Sequence, residues 1–339
     1  MSPTLRVGLI GAGWVTEHHL KGWAALGDAA RVVAIADPSL ERAAARAGEF
    51  AIPAVFPSAE AMLDAGGIDA VDIAAPRAAH AELARLAARR GLPILCQKPL
   101  APTLAEAERL VADIAGRVRL MVHENWRFRA YYRQAADWIR DGRLGAVKAA
   151  SLTLVTSGTV PDAYGRLIAL ERQPFMRTEA RMLVAEVLIH HLDTLRMLLG
   201  PLKVEAAALS RTCPEMEGED GAVIHLSTAG GAGISVFATF AAYGAPPQQM
   251  DRLTVLGDAG TLRLDGPELS LSGAQNERIA YDPDATYLGS YAAAIAHFVD
   301  CLRGGAPFET SPEDNLETLR LVEDCYRLSG FETGNRNAA

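Results

Sequence analysis

The chain has 339 residues, half of them hydrophobic, which is too long for one ordinary core and suits two packed domains. A formal net charge of -8 works against a nucleic-acid partner, because a phosphate backbone needs a basic face and no basic run is present. The 4 cysteines, Cys96, Cys213, Cys301 and Cys325, show no CxxC spacing, so neither a zinc site nor a disulfide framework is expected and a reducing cytoplasm is. After Met1 a strand-like run begins with no basic region ahead of an apolar one, and no apolar stretch approaches ~20 residues, so neither export nor a membrane span is expected. From Leu5 to about Val122, β-branched runs alternate with alanine-rich amphipathic stretches, the pattern of βα units around a parallel sheet. Strands are predicted over residues 5–10, 31–36, 70–74, 93–96 and 118–122, and helices over 16–26, 40–50, 78–90 and 104–115. The last of these helices is entered through Thr103 and Glu106 as a capping box.

After His123 the rhythm changes. A helix over 131–141 and a long strand over 147–155 lead into a loop with Pro161, Gly165 and Pro174, followed by a helix over 183–199. Strands over 204–210, 221–227, 233–240, 251–256, 260–264 and 269–271, parted by glycine and proline turns, imply a mostly antiparallel open sheet. Two helices, over 290–303 and 311–328, precede a polar end from Gly334 that reads as a frayed tail. The expected architecture is a doubly wound α/β Rossmann domain over 1–122 and an α+β domain over 123–339, with the last helix packing back toward the first domain.

Gly8-Leu9-Ile10-Gly11-Ala12-Gly13-Trp14-Val15-Thr16 falls where a strand ends and a helix begins, the context in which a glycine turn cradles a pyrophosphate. Gly11 permits the tight turn and Gly13 the close approach, while Thr16 stands where a third glycine or alanine is usual. Asp37 ends the second strand at the spacing that meets an adenosine ribose. A carboxylate there repels a 2′-phosphate and favours NAD over NADP, with Arg42 and Arg46 as the counter-indication; the plainer role for Asp37 is capping the next helix.

Three further segments follow in order: Asp72-Ile-Ala-Ala-Pro76-Arg-Ala-Ala-His80, Cys96-Gln97-Lys98-Pro99-Leu100 and His123-Glu-Asn125-Trp-Arg127-Phe128, and then a helix carrying Glu186-Val-Leu-Ile-His190-His-Leu-Asp193. With these motifs the sequence resembles the glucose-fructose oxidoreductase / inositol dehydrogenase (Gfo/Idh/MocA) family over nearly its whole length. The resemblance implies a two-domain fold, nicotinamide bound between the domains, and hydride transfer at a carbinol carbon of a sugar, polyol, cyclitol or sugar acid. It implies cofactor contacts from Gly11, Gly13, Trp14, Val15, Asp37, Ala75, Pro76, His80, Gln97, Lys98, Asn125 and Arg177 in the Met176 loop. It makes Lys98 the lysine beside the nicotinamide, His190 the general acid/base and Glu186 its partner, and it offers Trp126, Arg127, Tyr164 and Arg181 to the substrate. It further implies a homodimer or homotetramer paired through the open sheet. Two departures stand out: Gln97 replaces the usual glutamate, removing a charge beside Lys98, and Glu186 is one methylene longer than the expected aspartate.

The chemistry agrees on its own terms. Alcohol oxidation removes the hydroxyl proton as hydride leaves the same carbon, and histidine does this with the least tuning. Glu186 and His190, four apart, share a helix face, so the carboxylate can orient the imidazole, and an ammonium at Lys98 favours the alkoxide-like oxygen. The plainer readings are a packed histidine on an apolar helix for His190, a solvated strand end for Lys98, packing polar groups for His191 and Asp193, and ion pairs for the arginines. His18, His19 and Trp14 are read as packing or cofactor walls. Adjacent histidines point to different helix faces, so no metal is assigned to His190, His191 and Asp193. Rival functions are an NADPH-dependent reductase of a ketone or imine and a non-catalytic NAD-bound regulator.

Overall fold

The computed structural model describes residues 3–332; the polar end from Gly334 lies outside them. The chain divides into two compact units, one running up to Arg129 and taking in Asp284–Leu319, the other made of Ala130–Pro283 and the stretch from Arg320.

In the first unit β1 (Leu5–Ile10), β2 (Ala30–Ala36), β3 (Ala54–Phe56), β4 (Ala70–Ile73), β5 (Ile94–Gln97) and β6 (Leu120–His123) form one sheet in the order β3-β2-β1-β4-β5-β6. Every neighbouring pair is parallel. This is the doubly wound order, which reverses direction between β1 and β4 and there leaves a crevice at the carboxyl ends of the strands. All four residues of β4, β5 and β6 are buried, which is why these strands show no alternation of apolar and polar residues. Val7, Leu9, Ile35 and Leu95 share a core with Trp23 of helix Trp14–Ala24 and with Ile295 and Phe298 of helix Pro283–Gly304. A Cβ on Gly22 would lie 2.6 Å from Ile295 Cδ1, so glycine lets these two helices close. Thr103 begins helix Leu104–Ile114 as expected, its hydroxyl accepting the Glu106 N–H at 3.3 Å.

In the second unit β7 (Val147–Val155), β8 (Leu202–Ser210), β9 (Gly221–Thr228), β10 (Gly233–Thr239), β11 (Asp251–Gly257), β12 (Gly260–Asp265), β13 (Glu268–Gly273) and β14 (Glu277–Ala280) form a sheet ordered β14-β13-β12-β11-β7-β10-β9-β8. It is mostly antiparallel, as expected, with β10 alongside β7 as the parallel pair. Burial alternates along it: Ile234, Val236 and Ala238 face inward on β10 while Ser235 and Phe237 are exposed. His191 and Tyr132, from helices Ile189–Leu199 and Ala130–Arg140, converge on Asp251 at the start of β11, at 2.8 Å and 2.9 Å. His191 is thus a fully buried polar group bonded to an acid of its own unit.

Candidate active site

The glycine turn is built as its sequence requires. Gly11 has φ 109°, and a Cβ there would lie 2.5 Å from the Ala74 carbonyl oxygen, so β1 can meet the end of β4 through glycine alone. Its N–H donates to the Ala36 carbonyl at 2.8 Å, closing the turn onto β2. Gly13 is the N-cap of helix Trp14–Ala24, no side chain caps that helix, and a Cβ on Gly13 would meet nothing within 4 Å. An uncapped helix start facing open space fits a bound pyrophosphate. Thr16, in the irregular third position, is fully buried and turns its hydroxyl onto the Gly11 carbonyl at 3.1 Å, so the side chain braces the turn instead of crowding it.

Asp37 accepts the Ala12 N–H at 2.8 Å, the Ser39 N–H at 2.8 Å and Arg42 Nη2 at 3.0 Å. Burial works to raise its carboxyl, but these donors outweigh it and hold the group below the usual carboxylate range. An anion is thus fixed beside the turn. The nearby arginines are matched to acids, Arg42 to Asp37 and Arg46 to Glu17 and Glu49, leaving a poor setting for a 2′-phosphate.

The ends of β1, β4 and β5 lie side by side, so Gly11, Ala75 and Lys98 stand in series along one edge, spanning about 10 Å at two strand spacings. The Lys98-Pro99 peptide is cis. His80, buried, sits with Nδ1 2.7 Å from the Pro99 carbonyl and Nε2 2.8 Å from the Ala75 carbonyl, tying the turn after β4 to the turn after β5. Pro76 is exposed between them. Gln97, where the resemblance leads one to expect glutamate, is buried and accepts the Lys98 N–H at 2.7 Å. Beyond β6, Asn125 is buried and donates to Ser290 Oγ at 2.8 Å, and Trp126 lies under the Arg129 guanidinium. The Arg127 side chain is 5% exposed and pairs with Asp314 at 2.5 Å. Trp14 is exposed and meets His18 edge-on at 4.7 Å; burial pushes the His18 imidazole below its ordinary range, in keeping with packing.

In the second unit the helix expected over 183–199 is two structures: a π-helical stretch, Leu183–Leu188, runs into the α-helix Ile189–Leu199. π-turns occur often at functional sites. Glu186 lies in the wide stretch, half-buried, and His190 lies just inside the α-helix, 8% exposed. What starts the π-stretch is Glu219, which no local pattern pointed to. Fully buried, it accepts the Met182 N–H at 3.2 Å, the Val184 N–H at 2.9 Å and the Tyr326 hydroxyl at 2.5 Å, satisfying helix-start donors that would otherwise be orphaned. Burial raises its carboxyl, against the pull of these bonds. Arg177 is paired with Glu215, and Arg181 pairs with Glu323 at 2.8 Å while stacking on Tyr326. Met176 is buried, whereas Tyr164 is 83% exposed on a turn whose N–H groups Asp162 collects. Asp193 is buried and lies 3.7 Å from Arg196. Among the described residues no three His, Cys, Asp or Glu gather so as to hold a metal ion.

A reversing parallel sheet, an open glycine turn and an anchored anion at Asp37 define a dinucleotide-binding protein of the NAD class. Residues 5–124 match the oxidoreductase family with an NAD-binding Rossmann fold, and residues 137–329 match its C-terminal alpha/beta domain. The chain belongs to this Gfo/Idh/MocA family and is an NAD-dependent oxidoreductase. It is 34% identical to a D-apiose dehydrogenase of Paraburkholderia graminis, over 94% of this chain and 86% of that one. It is 28% identical to an inositol 2-dehydrogenase of Streptomyces avermitilis, over 99% and 94%. Among solved structures it resembles an oxidoreductase from Agrobacterium radiobacter in complex with NAD+, L-tartaric acid and magnesium, at 27% identity, TM-score 0.88 and 96% of each chain.

Proposed function

We propose that this chain oxidises a carbinol of a small neutral sugar or cyclitol, with D-apiose the first compound to try. The observation that carries the reading is the placement of Lys98 at the carboxyl end of β5, on the same sheet edge as the glycine turn. NAD, when bound, takes up the hydride. The Lys98 ammonium holds the substrate hydroxyl and favours the negative charge that grows on its oxygen. His190 takes the hydroxyl proton, and Glu186, one turn before it, orients the imidazole. Two dehydrogenases similar to it in sequence act, by their names, on a sugar and a cyclitol. A sugar acid is a weaker fit, because Arg127, Arg177 and Arg181, the cations suited to a substrate carboxylate, are already matched to Asp314, Glu215 and Glu323. The test is a screen of D-apiose, inositols, aldoses, polyols, lactones and sugar acids with NAD, following NADH absorbance. Turnover of a neutral sugar or cyclitol, faster with NAD than with NADP, is expected. Turnover confined to sugar acids, or to a ketone or imine with NADPH, would sink the reading.

Self-association through the open sheet face is part of the same proposal. Val223, Phe237 and Leu256 are exposed on it, at 40%, 46% and 41%, among small side chains such as Ala149, Ser151 and Ser235. Three exposed apolar side chains grouped on one sheet face suit a second copy of the chain better than water. Light scattering is expected to show a dimer or tetramer, and Phe237→Lys with Leu256→Lys a smaller species; a monomeric unaltered protein would remove the proposal. A cytoplasmic location is proposed from the four unpaired, buried thiols. No helix among the described residues is long and apolar enough to cross a membrane.

A further inference from the structure

Behind Lys98 lies a buried polar string that the hydride chemistry does not use. Asp72 and His19 are both 0% exposed, and Asp72 stands in mid-strand between Val71 and Ile73. The Trp23 Nε1–H donates to Asp72 Oδ2 at 2.7 Å, and His19 Nδ1 lies 2.9 Å from the same oxygen. Gln97 Nε2 lies 3.2 Å from His19 Nε2, while Gln97 Oε1 takes the Lys98 N–H at 2.7 Å.

These partners allow one arrangement of hydrogens. A backbone N–H can only donate, so the Gln97 oxygen must face Lys98 and the Gln97 amino group must face His19. An amide NH₂ can only donate, so His19 Nε2 accepts and its proton sits on Nδ1, where it donates to Asp72. Turning the amide over sets its NH₂ against the Lys98 N–H and calls for the other tautomer, which strips the proton from the Asp72 bond. The string therefore settles as a unit, donors running from the Lys98 main chain through Gln97 and His19 to Asp72. The titratable groups facing His19 are Asp72 from β4, His123 from β6 with ring centres 4.3 Å apart, and Tyr291 from helix Pro283–Gly304 at 5.7 Å, with His18 beside it on its own helix.

We infer that Gln97 and His19 are positioning residues for Lys98, transmitting the fixed place of buried Asp72 to the backbone that carries the ammonium. The inference rests on the proposed role of Lys98. It also gives Gln97 a reason to be an amide: a carboxylate at position 97 only accepts, so it would keep the link only with a second proton on His19, making the placement of Lys98 depend on pH.

The experiment joins NMR of the full-length protein, labelled with ¹⁵N in its imidazoles and free of NAD, to kinetics on the substrate found by the screen. His19 is expected to show a protonated Nδ1 and an unprotonated, accepting Nε2; Gln97→Glu should turn Nε2 into a protonated nitrogen. Gln97→Met, similar in size but unable to make either bond, should lower kcat about 10-fold or more at saturating NAD in protein that is still fully folded at the assay temperature, its melting temperature falling as the loss of two buried hydrogen bonds requires. Gln97→Glu should keep its kcat at low pH and lose it as pH rises and His19 gives up the second proton. A protonated Nε2 in the unaltered protein, or an unchanged kcat in Gln97→Met, overturns the inference. If Lys98→Ala turned over normally, the role of Lys98 would fall and the positioning role with it, while the tautomer would still report whether the string is arranged as described.

Discussion

Lys98→Ala and His190→Ala are each expected to lower turnover by about 10²–10⁴-fold while leaving NAD affinity within a few-fold of the unaltered protein. What holds the Lys98 segment is backbone: its N–H goes to Gln97 and the next carbonyl to His80, so removing the ammonium leaves the turn in place. The His190 main-chain carbonyl takes the Thr194 hydroxyl at 2.8 Å, a bond that the alanine variant keeps. The neighbouring histidine supplies the contrast. His191→Ala strips a partner from buried Asp251, which should cost roughly 1–3 kcal/mol of stability and leave kcat nearly intact. If His190 is the proton acceptor, the acid limb of the pH–rate profile should vanish in His190→Ala and survive in His191→Ala. Near-normal turnover in either of the first two variants would take that residue out of the mechanism. A His190→Ala variant that loses stability but not kcat would return the side chain to the packing role its apolar helix first suggested.

How far such roles could be read beforehand depends on how local their causes are. The alternation of βα units is legible because the parallel strands are short, mostly apolar runs set between alanine-rich amphipathic stretches, and β1 and β7 fall where the pattern ends them. β3, with three residues on the sheet edge, was too short to show a period. The helix Ala59–Ala65, capped by Ser58, is too short for its seven residues to show a helical period. β14 is polar because an edge strand faces water, so apolar patterning could not find it. The helix expected from Ser290 begins at Pro283, where proline suits a first turn. The parallel placing of β10 beside β7 is a matter of topology, invisible to local pattern. In the candidate site, motif order is what points to Gly11, Asp37, Lys98 and His190. The partners of its charged groups were not legible, because Asp314 lies 187 residues from Arg127 and Glu323 lies 142 from Arg181. Glu219 acts across 35 residues to set the π-stretch, and no helix period foretells that. Asp72 did carry a signal: a carboxylate inside Ala70–Ile73, a strand buried on both faces, must have a donor close by.

Gly11 and Gly13 are expected to fail in different ways when each is given a side chain, and the difference separates folding from binding. Gly11→Val would bring a branched Cβ against the Ala74 carbonyl, already 2.5 Å away for a bare Cβ, at a φ that side chains rarely adopt. The strain alone is roughly 1–3 kcal/mol, and the wall it meets is backbone that cannot step aside without loosening the Ala74 N–H bond to the Ile10 carbonyl. Gly11→Val should therefore lower the melting temperature in the absence of NAD and lose NAD binding as well. Gly13→Val meets nothing within 4 Å and has no left-handed backbone to strain, so its melting temperature should stay close to that of the unaltered protein. The space it fills is the space a pyrophosphate needs at an uncapped helix start, so NAD should no longer raise its melting temperature. Melting curves with and without NAD, read beside a direct titration of the cofactor, resolve the two. A Gly13→Val protein that still bound NAD at full strength would mean that the open space beyond this turn is not where the cofactor lies. The same loss of stability in both variants would mean that the two glycines serve the fold alone. The distinction matters for the rest of the edge, because Ala75, Lys98 and Asn125, which the resemblance also gives to the cofactor, follow the ends of β4, β5 and β6, ranged in order beside the strand that ends in this turn.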